Sequence, residues 1–206
     1  MKIDQAALWS ERYAEAGAEY LFGTAPNKFL VGQSQRLQAG WTALAVADGE
    51  GRNSVFLAEA GLEVTAVEIS PVGLHKAQRL AASRHVAVNF VLADVLQWRA
   101  SLQFDVVVAI FVQFVGPEGR AVLFERIRSA VKPGGLLLMQ GYTPKQLEYA
   151  TGGPSGVENL YTTELLEKEF SDWEMLELRE YEDDLAEGAG HKGHSALIDL
   201  VAKKRR

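Results

Sequence analysis

The stretch Thr42-Ala43-Leu44-Ala45-Val46-Ala47-Asp48-Gly49-Glu50-Gly51-Arg52-Asn53 decides the fold. Its first five residues form a short, unbroken apolar run, the pattern of a strand buried on both faces. Small and turn-forming residues follow, and residues from Arg52 to Ala60 read as a helix closed by Gly61. A strand, a glycine turn and a helix in immediate succession bring backbone N–H groups close to a ligand at a helix N-terminus. Taken alone, this predicts a site for a nucleoside-bearing ligand.

Outward from this unit, strand and helix alternate. Val64–Val67 is the next strand, and Ser70-Pro71 starts a helix with a capping side chain and proline at the first helical position. Leu74, Ala77 and Ala81 give that helix its buried stripe. Asn89–Leu92 and Phe104–Ile110 are further strands. A helix around Glu118–Val131 and a turn at Lys132-Pro133-Gly134-Gly135 lead into a fifth strand, Leu136–Met139. Five strands with intervening helices predict an α/β fold with a doubly wound parallel sheet. A helix over Thr162–Phe170 and strands over Trp173–Glu180 and Ser195–Val201 follow. Between these strands Tyr181–His194 shows no helical period, so they form an antiparallel edge pair. Residues 1–40 read as a helical lid: Asp4 caps a helix carrying Leu8, Trp9 and Tyr13, and Pro26 opens a second helix through about Leu37. The expected organisation is one domain, with the lid at 1–40 and the core at 41–206.

Ligands of open α/β sheets bind beyond the carboxyl ends of the strands, so the residue after each strand carries the functional reading. These are the glycine turn after strand one, Glu68 after strand two, Asp94 after strand three, Gln113 after strand four and Tyr142 after strand five. Glu68 lies 17 positions beyond Gly51, close to the spacing at which an acid accepts hydrogen bonds from ribose hydroxyls. Each feature has a plain alternative, a tight turn for the glycines and a helix cap for the acids. Their convergence on one edge favours the ligand. A dinucleotide fingerprint needs a third glycine where Ser54 stands, no Tyr-x-x-x-Lys pair is present, and no phosphate loop ends in Gly-Lys-Ser/Thr.

Composition narrows the partners. The 206 residues carry a formal charge of −6 and no cysteine, which excludes disulfides, thiolate metal sites and a cysteine nucleophile. The charge disfavours nucleic acid, and Lys203-Lys204-Arg205-Arg206 reads as a solvated tail. No apolar run approaches membrane-spanning length, and the polar start Met1–Gln5 lacks a signal core. A cytoplasmic protein acting on a small molecule, without nucleic acid or membrane, is expected; the oligomeric state is not encoded legibly.

Glu50-Gly51-Arg52-Asn53, Glu68, Asp94 and Lys132-Pro133-Gly134-Gly135 resemble a class I S-adenosylmethionine-dependent methyltransferase, and the antiparallel pair matches that family's Rossmann-like seven-stranded sheet. Arg12-Tyr13, Phe22-Gly23, Pro26-Asn27, Gly141-Tyr142-Thr143-Pro144, Thr151–Pro154 and Glu187–Gly193 resemble the small bacterial tellurite-resistance and thiopurine types. The resemblance implies S-adenosylmethionine as cofactor, S-adenosylhomocysteine as product and methyl transfer to a small molecule by in-line displacement. It implies that backbone around Ala47, Gly49 and Gly51 contacts the methionine moiety, with Asp48 facing its ammonium. Glu68 takes the ribose hydroxyls, and Ile69 packs on the adenine. Asp94 takes the adenine amino group with Val95 beside it. Ala109 and Ile110 floor the sulfonium region next to Gln113. The chain departs from the family at Ala45, where an acid is usual, and at Ala47, where glycine is usual; cofactor affinity is the property these departures touch.

His191 is the candidate general base, because imidazole titrates near neutrality; a surface-loop histidine is the alternative. His191 and His194 with Asp183 or Asp184 make only a weak metal signature, and no metal is assigned. Tyr20, Phe22 and Tyr142 are candidate walls of the acceptor pocket, or simply core. Two competing functions are a non-catalytic S-adenosylmethionine or S-adenosylhomocysteine binding module and a nicotinamide-dependent reductase.

Overall fold

A computed structural model describes residues 4–206; Met1–Ile3, the start of the polar N-terminal segment, lie outside the described residues. The elements in chain order are α1 (Gln5–Glu15), α2 (Lys28–Gly32), β1 (Thr42–Val46), α3 (Arg52–Glu59), β2 (Glu63–Glu68), α4 (Pro71–Ser83), β3 (Asn89–Leu92), β4 (Phe104–Ile110), α5 (Pro117–Ala130), β5 (Val131–Tyr142), α6 (Gln146–Tyr149), α7 (Thr163–Glu169), β6 (Glu174–Glu187) and β7 (His191–Lys203). The strands form a seven-stranded sheet of order β3-β2-β1-β4-β5-β7-β6. This is the expected doubly wound arrangement. Among the described residues no helix is long and apolar enough to cross a membrane.

The chain divides into two compact units. The first runs to Trp98 and adds Glu187–Gly190; the second holds Arg99–Ala186 and His191–Arg206. In the first unit β1 pairs in parallel with β2, Ala45 opposite Ala66, and β2 with β3, Glu68 opposite Leu92. Ala43–Val46, Val64, Ala66 and Val67 are buried, which is why these strands read as continuous apolar runs. The Ser70 hydroxyl accepts from Gly73 N–H to cap α4, and the Asp4 carboxylate accepts from Ala7 N–H to cap α1. The expected helix from Pro26 to Leu37 is shorter. Asn27 caps α2 and Pro26 precedes the cap, while Ser34–Arg36 form a single 3₁₀ turn. Gly32 and Gln33 break the helical period there.

In the second unit β4 pairs in parallel with β5, and β5 with β7 antiparallel, Leu138 opposite Val201. The expected turn at Lys132–Gly135 is instead an irregularity inside β5. Phe104 faces Val131 while Val106 already faces Leu136, so the extra residues bulge out of the ladder. The last two strands are longer than expected. β6 and β7 continue through Tyr181–His194 and leave Gly188–Gly190 as the hairpin tip. Alternating exposed and buried residues at Glu182–Glu187 carry the strand period. The basic end is not a free tail: Lys204 N–H donates to Gly135 O, and its ammonium donates to Arg128 O at 2.7 Å and Val131 O at 2.9 Å. The carbonyls ending α5 attract that cation.

Candidate functional site

In the first unit the carboxyl ends of the strands present a glycine turn surrounded by charged side chains. Ala47, directly after β1, has φ 49°, and Gly49 and Gly51 have φ 65° and 92°. The left-handed backbone at Ala47 strains an L-residue by about 1 kcal/mol; glycine would relieve it. Gly51 packs so closely on α4 that a Cβ would stand 2.6 Å from the Ala77 Cβ.

Glu68 ends β2 with its side chain buried. Its Oε2 accepts from Gly49 N–H and its Oε1 from Ser70 N–H, each at 2.8 Å. These bonds fix the carboxylate across the turn and leave further acceptor lone pairs on both oxygens. Burial, partly offset by the backbone donors, raises its pKa. Asp48 accepts from Ser54 N–H and from the Ser54 hydroxyl. Desolvation pushes its carboxyl up to about 7 against those hydrogen bonds. Glu50 is buried and ion-paired with buried Lys76 at 2.9 Å.

Lys76 places its other two ammonium donors on Tyr13 O and Glu19 O, both at 2.7 Å. The opposite Glu50 oxygen accepts from Phe22 N–H. This network holds the segment after α1 against the glycine turn. Tyr13 itself is buried, its hydroxyl 2.8 Å from where a Gly49 Cβ would sit and its ring against Gly73. Desolvation and the charges of Glu68, Glu50 and Asp48 raise the Tyr13 pKa well above its usual value, so the phenol stays protonated. As a sequence signal of function Tyr13 has only the Arg12-Tyr13 resemblance, with no role attached, and Lys76 carries none: a buried lysine 26 residues from its acid partner has no local motif.

The remaining candidates of this unit are less committed to one point. Asp94 follows β3 and accepts from Leu96 N–H at 2.9 Å and the Gln97 amide at 3.0 Å; these bonds close a turn, and no helix starts there for it to cap. Val95 is buried and Ile69 half-buried. Tyr20 donates to Lys76 O at 3.1 Å and packs on the Val55–Leu80–Ala81 cluster. Phe22 lies among Trp9 and Tyr13.

In the second unit Ala109 is buried and Ile110 half-buried at the end of β4. Phe111, the next residue, has φ 55°, the second strained position directly after a strand. Its ring stacks on Tyr142 with centroids 4.6 Å apart and meets His191 edge-on at 4.4 Å. His191 is therefore not in a surface loop. It opens β7 and is buried in an aromatic cluster, because the strand reaches further toward the tip than its composition indicated. Gln113 spends its amide on main chain, donating to Tyr142 O at 2.9 Å and Asn159 O at 3.1 Å and accepting from Tyr142 N–H at 2.6 Å. Tyr142 is almost wholly buried behind Phe111. His194 stands apart from His191, between the carboxylates of Glu182 and Asp184 at 3.1 Å each. No group of three or more His, Cys, Asp or Glu side chains is placed to hold a metal ion among the described residues.

Residues 43–135 match the sequence model of the family described as methyltransferase domain. The matched segment is similar to that family over somewhat less than half of the chain. It contains the glycine turn, Glu68, Asp94 and the β4 end. A search of curated protein sequences finds no match. Solved structures share the fold of this chain. The protein from work on converting a disulfide bond into a thioacetal group during echinomycin biosynthesis is similar at TM-score 0.78 and 15% identity, over 97% of this chain and 91% of that one. TehB from Haemophilus influenzae is similar at TM-score 0.73 and 17% identity, over 96% and 67%. The N-methyltransferase NodS from Bradyrhizobium japonicum, in complex with S-adenosyl-L-homocysteine, is similar at TM-score 0.73 and 12% identity, over 99% and 100%.

Proposed function

We propose that the chain binds S-adenosylmethionine and transfers its methyl group to a small-molecule acceptor. The observation that carries this is the charge around the glycine turn. Asp48, Glu50, Glu68 and Glu187 are set against two buried cations, Arg52 and Lys76. A pyrophosphate or triphosphate would meet like charge there, whereas a ligand with an ammonium and a sulfonium relieves the excess. Bound S-adenosylmethionine supplies a methyl group already activated for displacement.

The protein's contribution is binding, alignment and exclusion of water. Glu68, held by Gly49 and Ser70 N–H groups, accepts from the ribose hydroxyls. Ionised Asp48 faces the amino-acid ammonium, and the backbone at Ala47, Gly49 and Gly51 lines the methionine moiety. Asp94 receives the adenine amino group, with Ile69 and Val95 packing on the ring. Tyr13 covers the turn and keeps water out. In the second unit the Phe111–Tyr142–His191 cluster serves the acceptor, and His191 takes its proton where the acceptor is an amine or hydroxyl. A thiolate or oxyanion acceptor needs no such base.

Calorimetric titration with S-adenosylhomocysteine, followed by methyl release from S-adenosylmethionine with thiols, chalcogen oxyanions and heteroaromatic acceptors, tests this. Binding with turnover supports it. Binding with no turnover on any acceptor class assigns a non-catalytic module instead, and absence of binding rejects both.

A further inference from the structure

We infer that Glu187, at the tip of the β6–β7 hairpin, is a positioning residue for the cofactor turn, an inference that rests on the cofactor reading above. The tip belongs to the first unit, although both strands that lead to it lie mostly in the second. Its carboxylate is buried, with Oε2 accepting from Arg52 Nη2 at 2.7 Å and Oε1 from Asn27 Nδ2 at 3.0 Å. Arg52 is the first residue of α3, directly after left-handed Gly51. Asn27 N–H donates to Asn53 Oδ1 at 3.0 Å, and the Asn27 side chain caps α2 by accepting from Leu30 N–H. One carboxylate thus ties the cofactor corner at Gly51–Asn53 to the segment entering α2.

The fit of the tip on residues 21–23 is equally tight. A Cβ on Gly188, at φ 65°, would stand 2.4 Å from Leu21 O, and one on Gly190 would stand 2.3 Å from the Phe22 ring. Gly190 N–H donates to Leu21 O at 2.9 Å. Phe22 N–H in turn reaches Glu50, within the cofactor turn. Segment 20–27 is therefore clamped between Glu50 and Glu187. The second guanidinium nitrogen of Arg52, Nη1, is buried with no hydrogen-bond partner. Glu187 is thus the only protein group holding that guanidinium by a hydrogen bond among the described residues. A core built for stability alone is served as well by apolar packing as by such a buried pair; the directed bonds to Arg52 and Asn27 instead set the angle at which the turn meets its ligand.

The test compares wild type, Glu187→Gln, Asn27→Ser, which keeps a capping oxygen on α2 but loses the Glu187 bond, and the double variant Arg52→Met with Glu187→Met. Each is titrated calorimetrically with S-adenosylhomocysteine below its melting temperature, and amide exchange of residues 20–27 is followed with and without that ligand. Glu187→Gln and Asn27→Ser are expected to raise Kd by about 10-fold or more and to abolish the ligand-induced slowing of exchange over 20–27. The double variant is expected to regain melting temperature without regaining affinity. Unchanged Kd in the single variants, or a double variant that recovers both melting temperature and affinity, overturns the positioning role. Wild type that does not bind S-adenosylhomocysteine overturns the cofactor reading instead. Should Glu187→Gln not fold, Asn27→Ser and the double variant give the same discrimination.

Discussion

At the scale of single residues, Glu68 and Asp48 carry the cofactor reading in different ways. Glu68 is fixed by two backbone donors, so Glu68→Ala removes charge-assisted acceptors without reshaping a strand. We expect S-adenosylhomocysteine binding to weaken by about 1–3 kcal/mol, read by calorimetry. Asp48 makes a pH prediction. Its folded pKa, near 7, is raised above the ordinary carboxylate value by desolvation. The native state therefore holds a proton that the unfolded chain has released. The stability this gives is complete below about pH 4 and is lost as pH rises through 7. Urea unfolding of the ligand-free protein should show this fall, of about 1–3 kcal/mol between pH 5 and 8, and Asp48→Asn should flatten it. Asparagine can still accept from Ser54 N–H. Ligand affinity should run the opposite way, rising up to pH 7 as Asp48 ionises to meet an ammonium.

Ala47 adds a third residue-scale prediction. With φ 49°, Ala47→Gly should stabilise the protein by up to about 1 kcal/mol, the relief of left-handed strain less the added freedom of the unfolded chain. A loss of stability in urea unfolding would contradict it. At this scale the sequence was legible where chemistry follows a strand end: the glycine turn, Glu68 and Asp94 all stand where strand periodicity puts them. Lys76 was not legible as a candidate, and Tyr13 and Glu187 stood only within stretches of family resemblance, with no role of their own. Their partners lie 26 to 160 residues away, and no local period encodes such a pairing.

At the scale of elements, the alternation of apolar strands and capped helices identified β1, β3 and β4 to the residue; β1 and β4 are buried on both faces, while β3 is a half-exposed edge strand marked by its short apolar run. Three strands resisted. In β5 the Lys-Pro-Gly-Gly run has turn composition, yet the ladder absorbs it as a bulge. In β6 and β7 an acidic, glycine-rich stretch reads as loop, yet its alternation sustains a hairpin down to a three-residue tip. That tip yields a graded test. Gly17 and Gly188 both have left-handed backbones, but a Cβ on Gly17 meets nothing within 4 Å whereas one on Gly188 meets the Leu21 carbonyl. Gly17→Ala should cost about 1 kcal/mol and Gly188→Ala clearly more, about 2–4 kcal/mol, by urea unfolding. Equal losses would show that the tip has room to spare.

At the scale of the whole molecule, the seven-stranded order and the methyltransferase-domain match over 43–135 agree with the expectation drawn from strand ends. The acceptor was not legible for a physical reason. The residues proposed to serve it are aromatic and apolar, Phe111 and Tyr142 with His191, and such side chains have the same sequence signature in a pocket as in a core. The cofactor proposal could be framed from sequence because such a ligand demands charge and glycine at fixed points. The most direct measurement of the central claim is therefore a parallel calorimetric titration of the wild-type chain with S-adenosylhomocysteine, NADPH and ATP. The account predicts saturable binding of S-adenosylhomocysteine, weakened by Glu68→Ala, and none of the phosphate-bearing ligands. Binding of NADPH or ATP with no response to S-adenosylhomocysteine would contradict it.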